Sequence, residues 1–155
     1  MAASPIFALS FETQMEKPTH IQHFPLKLHL RLDWSEMDMY GHINNVMFFK
    51  YIQASRINFW QTAGLESGYY KDKIGPILVS TGCQFSKPLF YPDNITVEVR
   101  LEFIKTTSIG LHHRILNGKD ELSAEGHDVI VLFDFDTNEK VVIPDELREE
   151  IEKLR

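Results

Sequence analysis

At 155 residues, with 43% hydrophobic and 25% charged side chains, the chain has the size and balance of one globular domain, neither disordered nor fibrous. Sixteen Lys and Arg against 22 Asp and Glu give a net charge of −6, which lacks the positive field that grips nucleic-acid phosphates. A single cysteine, Cys83, excludes an internal disulfide framework and a cysteine-based zinc site, and no apolar run approaches the roughly 18–20 residues of a membrane span.

Residues 1–25 contain Pro5 and Pro18, show no stable period and end at Pro25. They read as an N-terminal arm, either mobile or laid across the domain through Phe7, Phe11 and Phe24. The opening MAASPIFALSF carries no positively charged segment, so no secretory signal is read and a cytoplasmic location is expected. A single domain is expected over residues 26–155.

From Leu26 the apolar residues Leu26, Leu28, Leu30 and Leu32 alternate with Lys27, His29, Arg31 and Asp33, the pattern of a half-buried strand. Residues 44–63 read as a helix without Gly or Pro, capped by Asn44 or Asn45 and stopped by Gly64. Eleven of these twenty residues are apolar, so the helix, about 30 Å long at 1.5 Å per residue, is expected to be largely enclosed. A glycine-rich loop over 64–76 follows. Strands are then predicted over 77–87, 94–104, 108–116 and 121–135, and Asn117-Gly118 signals a two-residue hairpin. In 94–104, Ile95, Val97, Val99, Leu101 and Phe103 share one face. Pro144-Asp145-Glu146 opens a short final helix with Leu147, Ile151 and Leu154 on its apolar stripe.

Strand, long helix and a four-stranded meander predict an α+β fold. One five-stranded antiparallel sheet curls around the helix and leaves two edges, one of which a second copy of the chain is expected to cover.

The stretch Trp34-Ser35-Glu36-Met37-Asp38-Met39-Tyr40-Gly41-His42-Ile43-Asn44-Asn45 delivers two acids, a histidine and two asparagines to the start of the helix. Backbone N–H groups there lack intrahelical partners and can hold an anion or a developing oxyanion. A carboxylate beside them supplies the base or nucleophile of a hydrolytic site. Gly41 permits the tight bend from loop to helix.

The run Glu36-x-Asp38-x-x-Gly41-His42-x-Asn44-Asn45, followed by Phe48-x-x-Tyr51 and Ala54-Ser55-Arg56, resembles the 4-hydroxybenzoyl-CoA thioesterase-like branch of the hotdog-fold superfamily. Asp134-Phe135-Asp136 before Lys140 and Ile143-Pro144 fits the same pattern, so the resemblance covers roughly residues 26–155. It implies a hotdog fold, with the helix as sausage and the sheet as bun. It also implies homodimers, in some members tetramers, with sites at the subunit interface. The implied reaction is hydrolysis of acyl-CoA or acyl-carrier-protein thioesters without metal or other cofactor, and no nucleic-acid or membrane partner. Asp38 matches the family's catalytic carboxylate, attacking the thioester carbonyl or drawing a proton from water. The oxyanion hole would come from backbone N–H groups at Asn45 and Val46, with Gly41 shaping the loop and His42 orienting substrate or Asp38.

Other residues carry plainer expectations. Glu36 reads equally as a loop-stabilising acceptor or a participant. Gln53 stands where an acid commonly precedes Ala-x-Arg in the family, which leaves Arg56 to anchor the helix to a strand. Cys83 reads as a small buried side chain. His112 and His113 are adjacent on a strand and cannot chelate one metal together. Lys73, Lys87, Arg100, Lys105 and Arg114 are candidates to meet coenzyme A phosphates, and Phe48, Phe49, Tyr51, Phe85 and Phe90 to line an acyl slot. Two alternatives stand beside hydrolysis: a hotdog-type 3-hydroxyacyl-thioester dehydratase or hydratase, and a non-catalytic acyl-thioester-binding protein.

Overall fold

The elements run in the order β1 (Leu26–Arg31), α1 (Asn45–Ala63), β2 (Ile74–Phe85), β3 (Asn94–Ile104), β4 (Ser108–Leu116), β5 (Leu122–Asp134), β6 (Glu139–Lys140) and α2 (Asp145–Glu152). This computed structural model describes residues 22–65 and 71–155. All strand pairs are antiparallel, in the order β1-β3-β4-β5-β2, and the two-residue β6 pairs with β5.

The alternation in the sequence becomes the inner face of the sheet. Ile95, Val97, Val99 and Leu101 of β3, Ile109, Leu111 and Ile115 of β4, and Ile130 and Leu132 of β5 are all buried. They form two clusters along α1. One gathers around Phe59 and Ala63 with Ile151 and Leu154 from the C-terminal segment; the other gathers around Phe48, Tyr51 and Ile52 with Leu32, Ile43 and Leu89. Fully buried side chains such as Phe59 and Ile52 each contribute about 1.5–3 kcal/mol through burial. Gly126 lets helix and strand approach closely: a Cβ there would lie 2.5 Å from Ile52 Cδ1. The ends of α1 are set locally. Asn44 Oδ1 accepts the Val46 N–H at 3.0 Å, and Gly64 adopts the left-handed conformation at φ 75°, which glycine enters without a Cβ clash. This is the hotdog arrangement that the sequence pattern implies.

Several expectations are corrected. β2 begins at Ile74 and takes in Gly75 and Pro76; as the edge strand of this chain it tolerates a proline that a central strand would not. The four strands after α1 do not form a simple meander. β2 pairs with β5, so residues 86–93 cross over to bring β3 beside β1. That crossing is anchored by buried Leu89, whose carbonyl accepts the Ile43 N–H at 2.9 Å. A register shift between Leu101 and Phe103 turns Phe103 away from the core, and Ile104 packs inward instead. The β4–β5 connection is longer than a two-residue hairpin: Asn117 Oδ1 accepts the N–H groups of Lys119 and Glu121, and Asp120, not Gly118, takes the positive φ. Asx-type bonding by Asn117 stabilises this wider loop, and the Gly118 N–H reaches Asp93 Oδ2 at 3.0 Å. The sheet gains β6, which was not foreseen. Finally, α1 is covered on one side only. Val46 and Phe49 remain exposed, because a single curved sheet wraps one face of a helix.

Of the arm, Phe24 is laid across the outer face of the sheet and is 4% exposed. Its ring lies 4.0 Å from the Arg114 guanidinium and 5.4 Å from that of Arg100, with the His112 ring edge-on at 5.2 Å. Phe7 and Phe11 lie outside the described residues. Among the described residues no helix is long and apolar enough to cross a membrane.

Candidate active site

The loop between β1 and α1 is a set of nested closures. Asp33 caps a 3-10 turn, Trp34–Glu36, through the Ser35 N–H. Met37 and Ile43 form an isolated antiparallel bridge. Inside it, the Asp38 N–H donates to the His42 carbonyl at 2.7 Å and the Gly41 N–H to the Asp38 carbonyl at 3.1 Å, with Gly41 at φ 79°. The Asp38 carboxylate completes the loop: Oδ1 accepts the Tyr40 N–H at 2.9 Å and the His42 N–H at 3.3 Å. One oxygen therefore shapes the loop while Oδ2 makes no hydrogen bond among the described residues.

Asp38 lines a cleft of about 360 Å³ together with His42, Ile43, Asn45 and Phe48 on one side and Phe85, Ser86, Lys87 and Pro88 on the other. The helix start at this cleft has one donor engaged and one not. The Val46 N–H is taken by the Asn44 cap, whereas the Asn45 N–H has no partner among the described residues. Phe48 and Phe85 meet edge to face at 5.1 Å in the cleft wall. The His42 ring packs edge-on against Phe90 at 5.0 Å. Past Lys87 and Pro88 the surface continues into a groove of about 590 Å³ that includes Phe90, Asn117, Lys119 and Glu121. The second wall, contributed by 85–88, holds Phe85 and Lys87, both candidates from the sequence; Ser86 and Pro88 were not foreseen, because these residues join the loop only through the crossover connection.

Glu36 proves to be a fully engaged acceptor. It receives the Tyr51 O–H at 2.6 Å, Lys50 Nζ at 2.8 Å and the Asp33 N–H at 3.0 Å. Burial alone would raise its pKa, but the hydrogen bonds from Lys50, Tyr51 and Asp33 outweigh it and hold the carboxyl below the usual range. Burial and the bond to Glu36 raise the Tyr51 phenol in turn.

A second polar cluster lies inside the core, where Arg56 anchors the helix to a strand as expected, with partners that were not foreseen. Arg56 Nη1 meets Asp128 Oδ2 at 2.6 Å, His113 Nε2 meets the same oxygen at 3.1 Å, and His113 Nδ1 meets Ser55 Oγ at 3.2 Å. Burial lowers the His113 pKa, so the ring is neutral near pH 7: Nε2–H donates to Asp128 and Nδ1 accepts the Ser55 hydroxyl. Asp128 would be raised by burial but is held low by His113, Thr81 and Arg56. The residue types resemble a hydrolytic triad, yet Ser55 and His113 have no exposed surface, so the cluster serves as a staple between α1 and the sheet. The signal was present in the sequence: His113 shares its strand face with Leu111 and Ile115, and Asp128 with Gly126 and Ile130.

The remaining candidates separate clearly. His112 faces outward and stacks on His127 with ring centroids 4.5 Å apart, opposite to His113. Tyr51 is committed to Glu36, and Phe49 lines a different cleft beyond α1, with Val46, Gln53 and Thr81. Among the basic residues, Lys87 reaches the Asp38 cleft; Arg100 and Arg114 stand over Phe24, and Lys105 over Phe103. Cys83 is half-buried, and burial pushes its thiol up to about 11, leaving it a poor nucleophile. Among the described residues no cluster of three or more His, Cys, Asp or Glu could hold a metal ion.

The model of the thioesterase-like superfamily matches residues 32–151, from the end of β1 through α2. The chain belongs to the thioesterase-like superfamily. A relative from Aquifex aeolicus whose name marks it as an esterase is 29% identical over 73 residues, which are 46% of this chain and 57% of the relative; the chain thus spans a little over half of that protein. Among solved structures, the PA2801 protein of Pseudomonas aeruginosa shares 27% identity at a TM-score of 0.75, covering 83% of this chain and 99% of that one. A Thermus thermophilus thioesterase complexed with coenzyme A and zinc shares 22% identity at a TM-score of 0.73, covering 83% and 98%; at that identity the likeness concerns the fold.

Proposed function

We propose that this protein hydrolyses acyl-coenzyme A thioesters to free acid and thiol, with Asp38 as its catalytic carboxylate. The observation that carries the reading is the division of the Asp38 side chain. One oxygen is fixed by two backbone N–H groups, and among the described residues the other is unengaged, at a cleft that also holds a helix-start donor with no partner there. In the reaction, water adds its hydroxyl to the acyl carbon, the carbon–sulfur bond breaks, and the sulfur leaves as the coenzyme thiol. Asp38 Oδ2 either takes the proton from that water or first forms a transient anhydride that water then opens. The Asn45 N–H supports the carbonyl oxygen as it gains charge; because Val46 is occupied by the Asn44 cap, Asn45 is the stronger candidate of the two. Gly41 holds the bend, and His42, set against Phe90, shapes the approach to Asp38.

Phe48 and Phe85 suit an acyl group, and Lys87 with Lys119 along the adjoining groove suits the phosphates of coenzyme A. The motif run from Glu36 to Arg56 favours the 4-hydroxybenzoyl-CoA branch within the superfamily. The exposed Val46 and Phe49 on α1 and the open edge of β2 support a homodimer that pairs through this side, and a cytoplasmic location fits the single reduced cysteine.

Thiol release from acyl-CoAs ranging from short aliphatic to aromatic tests the proposal. Turnover on at least one class with stoichiometric free acid is the expected result. Hydrated product without thiol would point to the dehydratase alternative, and saturable binding without turnover to a binding protein; either would overturn the reading.

A further inference from the structure

One buried carboxylate holds the Asp38 loop from behind. Glu36 Oε2 accepts both the Asp33 N–H, closing the 3-10 turn, and the Tyr51 O–H, while Oε1 receives Lys50 Nζ. Tyr51 and Lys50 belong to the second turn of α1. The Glu36 carbonyl accepts the Asn44 N–H at 2.9 Å, and Asn44 is the residue that caps α1. Within one residue, the turn before Asp38, the cap of α1 and the helix itself are tied together. Glu36 and Tyr51 are both buried and neither lines the Asp38 cleft.

We infer that Glu36 is a positioning residue, fixing the Asp38 carboxylate relative to the start of α1 through its hydrogen bonds to Tyr51 and Asp33. This rests on the hydrolase reading above. The two oxygens differ in what they need. The bonds at Oε2 require only an acceptor, whereas Oε1 carries an ion pair whose Lys50 side chain is 64% exposed. In Glu36→Gln the amide oxygen keeps the Asp33 and Tyr51 bonds and Lys50 turns into water. Glu36→Ala loses all three bonds, and Tyr51→Phe loses only the buried tie to the helix, leaving the exposed Lys50 pair.

The test combines steady-state thiol release with backbone amide exchange over residues 37–46. Glu36→Gln is expected to keep kcat within about threefold, with the acid limb of the pH–rate profile unmoved, since it retains the hydrogen bonds that set the geometry. Glu36→Ala and Tyr51→Phe are expected to lower kcat by about 10–100-fold, the scale of an ångström misplacement, with KM nearly unchanged and faster exchange in the loop. A fall in Glu36→Gln as large as that of Asp38→Asn, or loss of the acid limb, would make the Glu36 charge part of the chemistry and overturn the inference. Full activity with native exchange in Tyr51→Phe would overturn it as well. Should Glu36→Ala fail to fold, the other two variants decide. If the wild type releases no thiol, the hydrolase reading fails on its own, and loop exchange in Tyr51→Phe still judges the tie.

Discussion

Asp38→Asn separates the structural half of this side chain from its chemical half. The amide oxygen of the replacement can stand where Oδ1 stands and accept the Tyr40 and His42 N–H groups at the observed 2.9 and 3.3 Å. Only Oδ2 is exchanged, for a group that neither attacks a carbonyl nor takes a proton. The loop loses the charge assistance on two hydrogen bonds, which at about 1 kcal/mol each lowers stability by roughly 1–2 kcal/mol and Tm by a few degrees. Turnover is expected to fall at least ~10²-fold, equivalent to about 2.7 kcal/mol of transition-state stabilisation, while KM moves little. The assay is continuous thiol detection on the best acyl-CoA, with circular dichroism and thermal melting on the same preparation. A variant that melts within a few degrees of wild type and retains kcat within threefold would refute the reasoning, because Asp38 would then serve only to fold the loop.

Asp128→Ala strands the Arg56 cation and leaves His113 without its acceptor in the core. A loss of about 3–5 kcal/mol is expected in urea unfolding, and replacing both charged residues (Arg56→Met with Asp128→Leu) should cost less than the single change. Stability should fall on acidification from pH 7 towards pH 5. His113 and His112 are held below their usual value, so the unfolded chain binds more protons there, with a slope of up to about 1.4 kcal/mol per pH unit for each histidine. His113→Gln should flatten part of that slope, as read by chemical denaturation across pH. A further loss is expected below about pH 4, as the depressed carboxyls of Glu36 and Asp128 take up protons in the unfolded chain. Gly126→Ala should cost about 1–3 kcal/mol by pressing on Ile52; an unchanged melting temperature would mean that Ile52 has room to move.

Local signals in the sequence carried far. The boundaries of β3 and β4 and both caps of α1 were legible, because alternation, Asn44 and Gly64 act within a few residues. The Asp38 loop was legible for the same reason, since its hydrogen bonds close within ten residues. What depended on distant partners was not. Nothing local tells β2 to pair with β5 in place of β3, and that choice sends residues 86–93 across to form the second wall of the cleft. Phe103 follows the alternation faithfully in sequence, and only the register against β4 reveals that it leaves the core. The apolar count of α1 was correct and predicted a largely enclosed helix; the exposed Val46 and Phe49 show that a count of apolar residues does not tell which side the sheet covers. The Ser55–His113–Asp128–Arg56 staple joins three elements, so Arg56 was readable as an anchor while its partners His113 and Asp128 emerged only with the strands in register.

The seating of Phe24 has a practical consequence. With its ring under the Arg114 guanidinium on the sheet's outer surface, the chain enters the domain from the side opposite α1. An affinity tag or surface tether joined directly to residue 22 is therefore anchored on the face of the sheet away from α1.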